Sequence, residues 1–148
     1  VDLCEDRITE ARRKLPTADL RVGDARILPW GDTSFDLVTQ FGVFTSILSP
    51  TAKRQVANEM VRVLKADGLI LWYDFRYNNP RNKNVRGIGS AEVRSLFSDC
   101  NLDIRSITLA PPLARHVVPF SWIAALCLEK LPLLRSHYLV LIRKQDSR

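Results

Sequence analysis

Polar side chains stand at the ends of two apolar stretches in the first third of the chain. Asp24 closes the stretch at residues 20–25, and Gln40 lies near the end of Phe35–Phe41, which is rich in β-branched and aromatic residues. Both stretches have the length and composition of strands, and Pro29 breaks regular structure between them. In open α/β sheets, ligands bind just outside the carboxyl ends of the parallel strands. A carboxylate and an amide at two such ends therefore predict a ligand-binding rim.

The elements that would hold this rim in place alternate between strands and helices. The sequence predicts the tail of a strand at residues 1–4 and strands at residues 20–25, 35–41, 68–74, 102–109 and 138–143. It predicts helices capped by Asp6, Ser49 and Ser90, with Gly68 ending the second, and a strongly apolar helix within residues 119–134 that Pro132 interrupts. A strand–helix–strand order of this kind predicts parallel strands with right-handed crossovers.

The composition is that of one ordinary globular domain. Of 148 residues, 46% are hydrophobic and 26% are charged. The formal net charge is +6, but the arginines are scattered and form no clustered basic face with stacking aromatics, so nucleic-acid binding is not predicted. Three widely spaced cysteines without a C-x-x-C pair predict neither a disulfide framework nor a metal site, and they favour a cytoplasmic location. No apolar run has the length that spans a bilayer.

Several short motifs occur in a characteristic order. They are VDL at residues 1–3, GDA at 23–25, LP at 28–29, FDLV at 35–38, and VRVLK at 61–65 followed by Gly68. In this order and spacing they resemble the class I S-adenosylmethionine-dependent methyltransferases of the type 11 group. The resemblance runs from residue 1 to about residue 74 and weakens beyond it.

This resemblance implies an α/β fold with a Rossmann-like methyltransferase sheet, mostly parallel with an antiparallel last strand. The glycine-rich turn that follows the first strand of the family is not found in the sequence. Residues 1–148 are therefore interpreted as a single, partial methyltransferase domain that lacks its first strand–helix unit. Such a fragment is expected to be inactive by itself.

The resemblance also implies S-adenosyl-L-methionine as the cofactor and assigns residues to its nucleoside half. In this assignment Asp2 accepts hydrogen bonds from both ribose hydroxyls, and Leu3 lies against the adenine. Asp24 accepts from the adenine amino group, while the backbone N–H of Ala25 donates to the ring. From the residues alone, Asp2 and Asp24 can equally be capping or turn acids.

The methionine half is assigned to the end of the next strand. The resemblance implies that Gln40 and Phe41 contact the charged amine there, although both can also be simple strand termini. Asp36, inside the strand, is interpreted as structural. Trp30 either leans over the adenine or covers the core.

Methyl transfer requires of the protein mainly that it position the acceptor against the methyl donor. Methyl transfer is an in-line displacement at a sulfonium, so holding the acceptor in place supplies much of the rate, and a general base is needed only if the acceptor must lose a proton. The family has no universal base, and the catalytic residues stay open. Candidates are Asp74 and Tyr73 at a strand end, His116 after a proline break, and His137 beside the last strand.

The loop after the strand at 68–74 is the candidate acceptor site. It holds Tyr77, Asn79 and three arginines, which are Arg76, Arg81 and Arg86. The forked guanidinium groups of the arginines can recognise an anionic or sugar-like acceptor. The other interpretation is a solvated polar loop. The acceptor is expected to be a small molecule or a glycan- or lipid-linked one.

Two alternatives stay open. The chain can be a non-catalytic Rossmann-like module that binds a partner. A dehydrogenase-like enzyme is disfavoured because the Asp24–Ala25 pair and residues 61–68 have no role there.

The apolar segment at 117–134 is either a packing helix, a lid over the acceptor, or a contact with a membrane surface or a partner; the oligomeric state is not predicted.

Overall fold

A mixed four-stranded sheet organises the chain. The computed structural model describes residues 1–79 and 82–145. The strands are β1 (Phe35–Phe41), β2 (Leu64–Phe75), β3 (Cys100–Leu109) and β4 (Arg135–Lys144), in the order β1-β2-β4-β3. β1 is parallel to β2, and β4 is antiparallel to both β2 and β3. Three strands therefore point one way and only the last is reversed, which confirms the predicted sheet.

The helices connect and cover these strands. They are α1 (Glu5–Lys14), α2 (Pro50–Val63), α3 (Ser90–Leu96), α4 (Pro111–Val117) and α5 (Trp122–Glu129), with short 3₁₀ turns at Phe44–Ser46 and Pro132–Leu134. α2 begins as predicted, because the Ser49 hydroxyl accepts from the backbone N–H of Ala52 and Pro50 occupies the first helical position. No helix within the described residues is long and apolar enough to cross a membrane.

The core lies on one face of the sheet. Ile70 and Trp72 on β2 are completely buried, and so are Val140 and Ile142 on β4. The apolar stripe of α2, the turn Phe44–Ser46 and α3 cover this face, and the Phe44 ring lies 5.9 Å from the Trp72 ring. Alternation of buried and half-buried residues along β2 shows that the opposite face is less covered.

The end of α2 differs from the prediction. The helix ends at Val63, not at Gly68, and β2 starts at once with Leu64 opposite Phe35. The register between β1 and β2 shifts after this pair, and Lys65 Nζ binds the Asp36 carboxylate at 2.9 Å. A Cβ on Gly68 would lie 2.7 Å from Leu64 Cδ1, so glycine makes room for the irregular start of the strand.

The predicted strand at residues 20–25 is reduced to a single parallel bridge. Asp2 pairs with Val22, and Gly23 N–H donates to Asp2 O at 3.0 Å. Because no further ladder pairs follow, the residues around Asp24 form turns rather than a strand. Two predicted caps were also wrong, since Cys4 rather than Asp6 precedes α1 and Gly89 rather than Ser90 precedes α3. The short helix α4, which begins at Pro111, was not predicted.

Candidate active site

A cleft of about 740 Å³ lies between the outer edge of β1 and the segments joined by the Asp2–Val22 bridge. All six residues predicted for the cofactor line it: Asp2, Leu3, Asp24, Ala25, Gln40 and Phe41. They come from three separate chain segments, and the fold brings these segments together at one cleft. Trp30 also lines the cleft. The volume falls within the range of small-molecule sites.

Asp2 is held at the start of α1. One carboxylate oxygen, Oδ1, accepts from the backbone N–H of Cys4 at 2.8 Å, and Oδ2 lies 3.6 Å from Nη1 of Arg7. The side chain is 35% exposed. A carboxylate with two oxygens has about four lone-pair sites, so Asp2 keeps acceptor capacity for a ligand hydroxyl.

Asp24 is already engaged by a neighbour. Its Oδ1 accepts from Arg26 N–H at 2.9 Å, and its Oδ2 accepts from Arg26 Nε at 2.7 Å. These hydrogen bonds hold the pKa of the Asp24 carboxyl below its usual range. The group is therefore ionised near neutral pH, and a donor on a ligand must share these oxygens with Arg26 or displace it.

Gln40 ties the end of β1 to the turn that follows. Its side-chain Nε2 donates to Tyr73 O at 3.3 Å, and its Oε1 accepts from Val43 N–H at 3.1 Å. The residue is only 6% exposed. Because the amide is nearly buried and both of its polar atoms already have protein partners, little of it is accessible to a ligand, whereas the neighbouring Phe41 is 61% exposed.

A group missed by the sequence analysis supports the floor of the cleft. Arg62, near the end of α2, donates to both Glu59 oxygens at 2.6 and 2.8 Å and to the carbonyls of Trp30 and Leu28 at 3.0 and 3.2 Å. Glu59 Oε2 in turn accepts from Leu28 N–H at 2.7 Å. The Arg62 guanidinium lowers the pKa of Glu59. The sign of this role in the sequence is the arginine of the VRVLK motif at residues 61–65.

Asp74 lies apart from the cleft. Its side chain is completely buried, and it accepts from Thr45 Oγ1 at 2.6 Å, Thr45 N–H at 3.2 Å and Phe75 N–H at 2.9 Å. The carboxyl thus joins the turn Phe44–Ser46 to the end of β2. This is a positioning arrangement, since no part of Asp74 reaches solvent.

The other acceptor candidates also lie outside the lining of the cleft. Arg76 stacks on Tyr77 and Tyr138, with its Cζ 4.7 and 5.0 Å from the ring centroids. Arg86 is exposed, and His116 Nδ1 lies 2.7 Å from a carbonyl within its own helix. Arg81 lies outside the described residues.

The start of β4 brings another titratable group, His137, next to the end of β2. The His137 ring stacks on Tyr73 with centroids 4.6 Å apart, and its Nδ1 lies 2.9 Å from Ser136 Oγ. Burial lowers the pKa of His137, and the Asp74 carboxyl opposes that effect. The side chain is 5% exposed, which favours a packing role.

The fold is similar to that of Rossmann-like methyltransferases of known structure. The protein PH0226 of Pyrococcus horikoshii superposes with a TM-score of 0.66 at 18% identity, covering 97% of this chain and 69% of that one. A SAM-dependent methyltransferase of Methanosarcina mazei gives a TM-score of 0.66 at 14% identity, covering 98% and 81%. At these identities the similarity establishes the fold.

One family model matches the sequence. Residues 1–72, just under half of the chain, are similar to the family Methyltransf_11, a methyltransferase domain. The phthiotriol/phenolphthiotriol dimycocerosates methyltransferase 1 of Mycobacterium ulcerans is 40% identical over 90 residues, which are 61% of this chain and 32% of the relative. The chain thus spans about a third of that curated relative.

Proposed function

We propose that this protein is a methyltransferase that uses S-adenosyl-L-methionine. The observation that carries the proposal is the single cleft lined by Asp2, Asp24 and Gln40 from three chain segments. When bound, the cofactor supplies a methyl group on a sulfonium, which is already an excellent leaving group. The family match over residues 1–72 supports the same activity.

The residues of the cleft suit the nucleoside half of that cofactor. Asp2 offers a partly exposed carboxylate with free acceptor capacity, which suits a pair of hydroxyls. Leu3 is 72% exposed at the same cleft and offers an apolar contact to a flat ring. Ala25 adds no bulk beside Asp24. We assign Gln40 and Phe41 to the methionine half, with Gln40 acting through the position of its strand end.

We further propose a small-molecule or lipid-linked acceptor. The curated relative in M. ulcerans is named for dimycocerosates of phthiotriol and phenolphthiotriol. Acceptor contacts are assigned to Arg76, Tyr77 and Arg86 on the loop after β2, with Asp74 positioning that loop and His116 as a candidate base. A cytoplasmic location remains a prediction from cysteine usage.

Calorimetry with S-adenosylhomocysteine on the full-length protein tests the cofactor assignment. Asp2→Asn keeps the size of the side chain but removes its charge, and Asp24→Ala removes the acceptor. Loss of a hydrogen bond to a charged group predicts affinity weaker by about tenfold to a hundredfold in each variant. Asp36→Asn is the matched control, because Asp36 is 84% exposed on β1 and does not line the cleft. Unchanged affinity in both cleft variants would remove the assignment.

The non-catalytic alternative has one observation in its favour. β1 is an edge strand of the sheet, and its Leu37 and Phe41 are 52% and 61% exposed. An open apolar edge of this kind can pair with another chain. Full-length protein that binds no S-adenosylhomocysteine and yet assembles with a partner would support this alternative.

A further inference from the structure

The surface formed by α4, α5 and the turn Pro132–Leu134 is apolar on its outward side. We call it the α4–α5 surface; its exposed apolar residues include Phe120, Trp122, Ile123, Leu126, Leu131 and Leu133. Phe120 is 91% exposed and Leu133 is 83% exposed. Because large side chains gain free energy from burial, a group of them left in water marks a surface that contacts something else.

α5 shows the pattern most clearly. Of its eight residues only Ala125 is buried, whereas Trp122 and Leu126 lie one turn apart on the exposed side. A helix that is apolar all round is normally covered on every side. Of the alternatives predicted for residues 117–134, the exposure of this outward side therefore favours a lid or an interface over a fully packed helix.

The charges around the α4–α5 surface are mostly positive. Residues 110–134 contain Arg115 and Lys130 but only one acid, Glu129, which accepts from the backbone N–H of Thr108 at 3.0 Å. Among the described residues, no carboxylate forms an ion pair with Arg115 or Lys130. Both charges are exposed and uncompensated, so the surface is complementary to an anionic one.

A groove beside Leu126 extends this positive region. It has a volume of about 510 Å³ and lies between β3 and α5, lined by Arg105, Leu126, Glu129, Lys130 and Arg135 among others. The Arg135 guanidinium donates to three backbone carbonyls, at 2.6, 3.0 and 3.2 Å, and within residues 1–79 and 82–145 it forms no ion pair with a carboxylate. Arg105 is paired with an aspartate, and Glu129 adds one negative charge. The balance remains cationic.

We propose that the α4–α5 surface docks on a bilayer that contains anionic lipids. Phe120 and Leu133 enter the boundary between headgroups and acyl chains, and Trp122 lies at the level of the headgroups. Arg115 and Lys130 approach the lipid phosphates, with the groove at Arg135 receiving one of them. This is attachment to one leaflet by a surface, and it does not depend on cofactor binding.

The positions of the two most exposed residues favour a bilayer over a protein partner. Phe120 lies in the connection between α4 and α5, and Leu133 lies in the turn Pro132–Leu134. Apolar side chains that project from turns need a shape-matched pocket in a protein partner, whereas a bilayer accepts them without one. Lysine is moreover depleted at protein–protein interfaces, yet Lys130 stands at the edge of this surface.

Vesicle sedimentation with the full-length protein tests the proposal. Wild type is expected to bind vesicles of phosphatidylcholine with phosphatidylglycerol more strongly than vesicles of phosphatidylcholine alone. Phe120→Ser and Leu133→Ser should each weaken binding to both vesicles by about tenfold. Lys130→Gln should weaken binding to the anionic vesicles alone, by about fivefold.

Ile27→Ser is the matched control, because Ile27 is 79% exposed and belongs to the turn after Asp24. It should bind vesicles like wild type, and all variants should keep the wild-type circular dichroism spectrum since the changed residues are exposed. The proposal is overturned if wild type binds neither vesicle, or if Phe120→Ser and Leu133→Ser bind like Ile27→Ser. It is also overturned if wild type self-associates without lipid and these two variants make it monomeric, since a second copy then covers the surface. Cofactor affinity, measured separately, should not change in any of them.

Discussion

Replacement of Arg62 by methionine should loosen the floor of the cleft. The Arg62 side chain makes five hydrogen bonds, two to Glu59, one to Asp32 and two to backbone carbonyls of residues 28 and 30. Methionine keeps most of the apolar stem and removes every donor. Leu28 and Trp30, whose carbonyls lose their donors, both line the cleft, so disorder there would reach the proposed cofactor site.

The size of the effect follows from the exposure of each partner. Asp32 is 75% exposed, so water replaces that bond at little cost. Glu59 is only 17% exposed and would keep a poorly solvated charge, while the two carbonyls are partly buried. At about 1 kcal/mol for each carbonyl and about 1–2 kcal/mol for the carboxylate, Arg62→Met should cost about 3–4 kcal/mol of unfolding free energy.

Urea unfolding and amide exchange measure this directly. The free energy of unfolding should fall in Arg62→Met, and the Leu28 amide, which donates to Glu59, should exchange faster. Arg62→Lys should restore only part of the loss, because a lysine cannot make the forked contact. Arg54→Met is the matched control on the same helix, since Arg54 makes one exposed hydrogen bond to Ser95 O and should cost less than about 1 kcal/mol. Equal losses in Arg62→Met and Arg54→Met would refute the reasoning.

Three other changes test the surroundings of the site. Gly87→Ala places a Cβ on the backbone carbonyl of Tyr77, so the loop must shift; thermal unfolding should show a loss of about 1–3 kcal/mol, and a neutral result would contradict the close approach. Thr45→Val leaves the buried Asp74 carboxyl without its hydroxyl donor, so urea unfolding should show a loss of about 1–3 kcal/mol in unfolding free energy. An unfolding midpoint equal to that of the wild type would contradict this. The lowered pKa of Glu59 means that its stabilising effect is complete above its ordinary pKa of 4.5 and is lost as the pH falls through the lowered value. Glu59→Gln should therefore unfold with a weaker dependence on pH below about 4.5, and an unchanged dependence would exclude this role.

Several elements were predictable because their signals are local. β1 has the predicted bounds, and α2 has the predicted cap at Ser49 and proline at its first position. The end of α2 was not predictable, because Leu64 and Lys65 join the sheet through contacts with Phe35 and Asp36, almost thirty residues earlier. Pairing between strands outweighed the local preference of Gly68 for a helix end.

In the candidate site, too, the sequence predicted some features and the tertiary structure decided others. The motifs placed Asp2, Asp24 and Gln40 near strand ends, and the fold brings them to one cleft. The engagement of the Gln40 amide by Tyr73 and Val43 could not be inferred, since a hydrogen-bond partner depends on the exact approach of a neighbouring strand.

The sequence by itself determined the succession of β1, α2 and β2, the cap of α2 at Ser49 and the motifs at residues 1–72, because these depend on residue type and short spacing. Only the tertiary structure decided that Arg62 supports residues 28–32, that Asp74 is closed off by Thr45, and which side of α5 stays exposed. Each of these depends on groups about thirty residues apart, or on the area that a neighbouring element covers. Such contacts are set by the packing of the whole chain, and no local pattern encodes them.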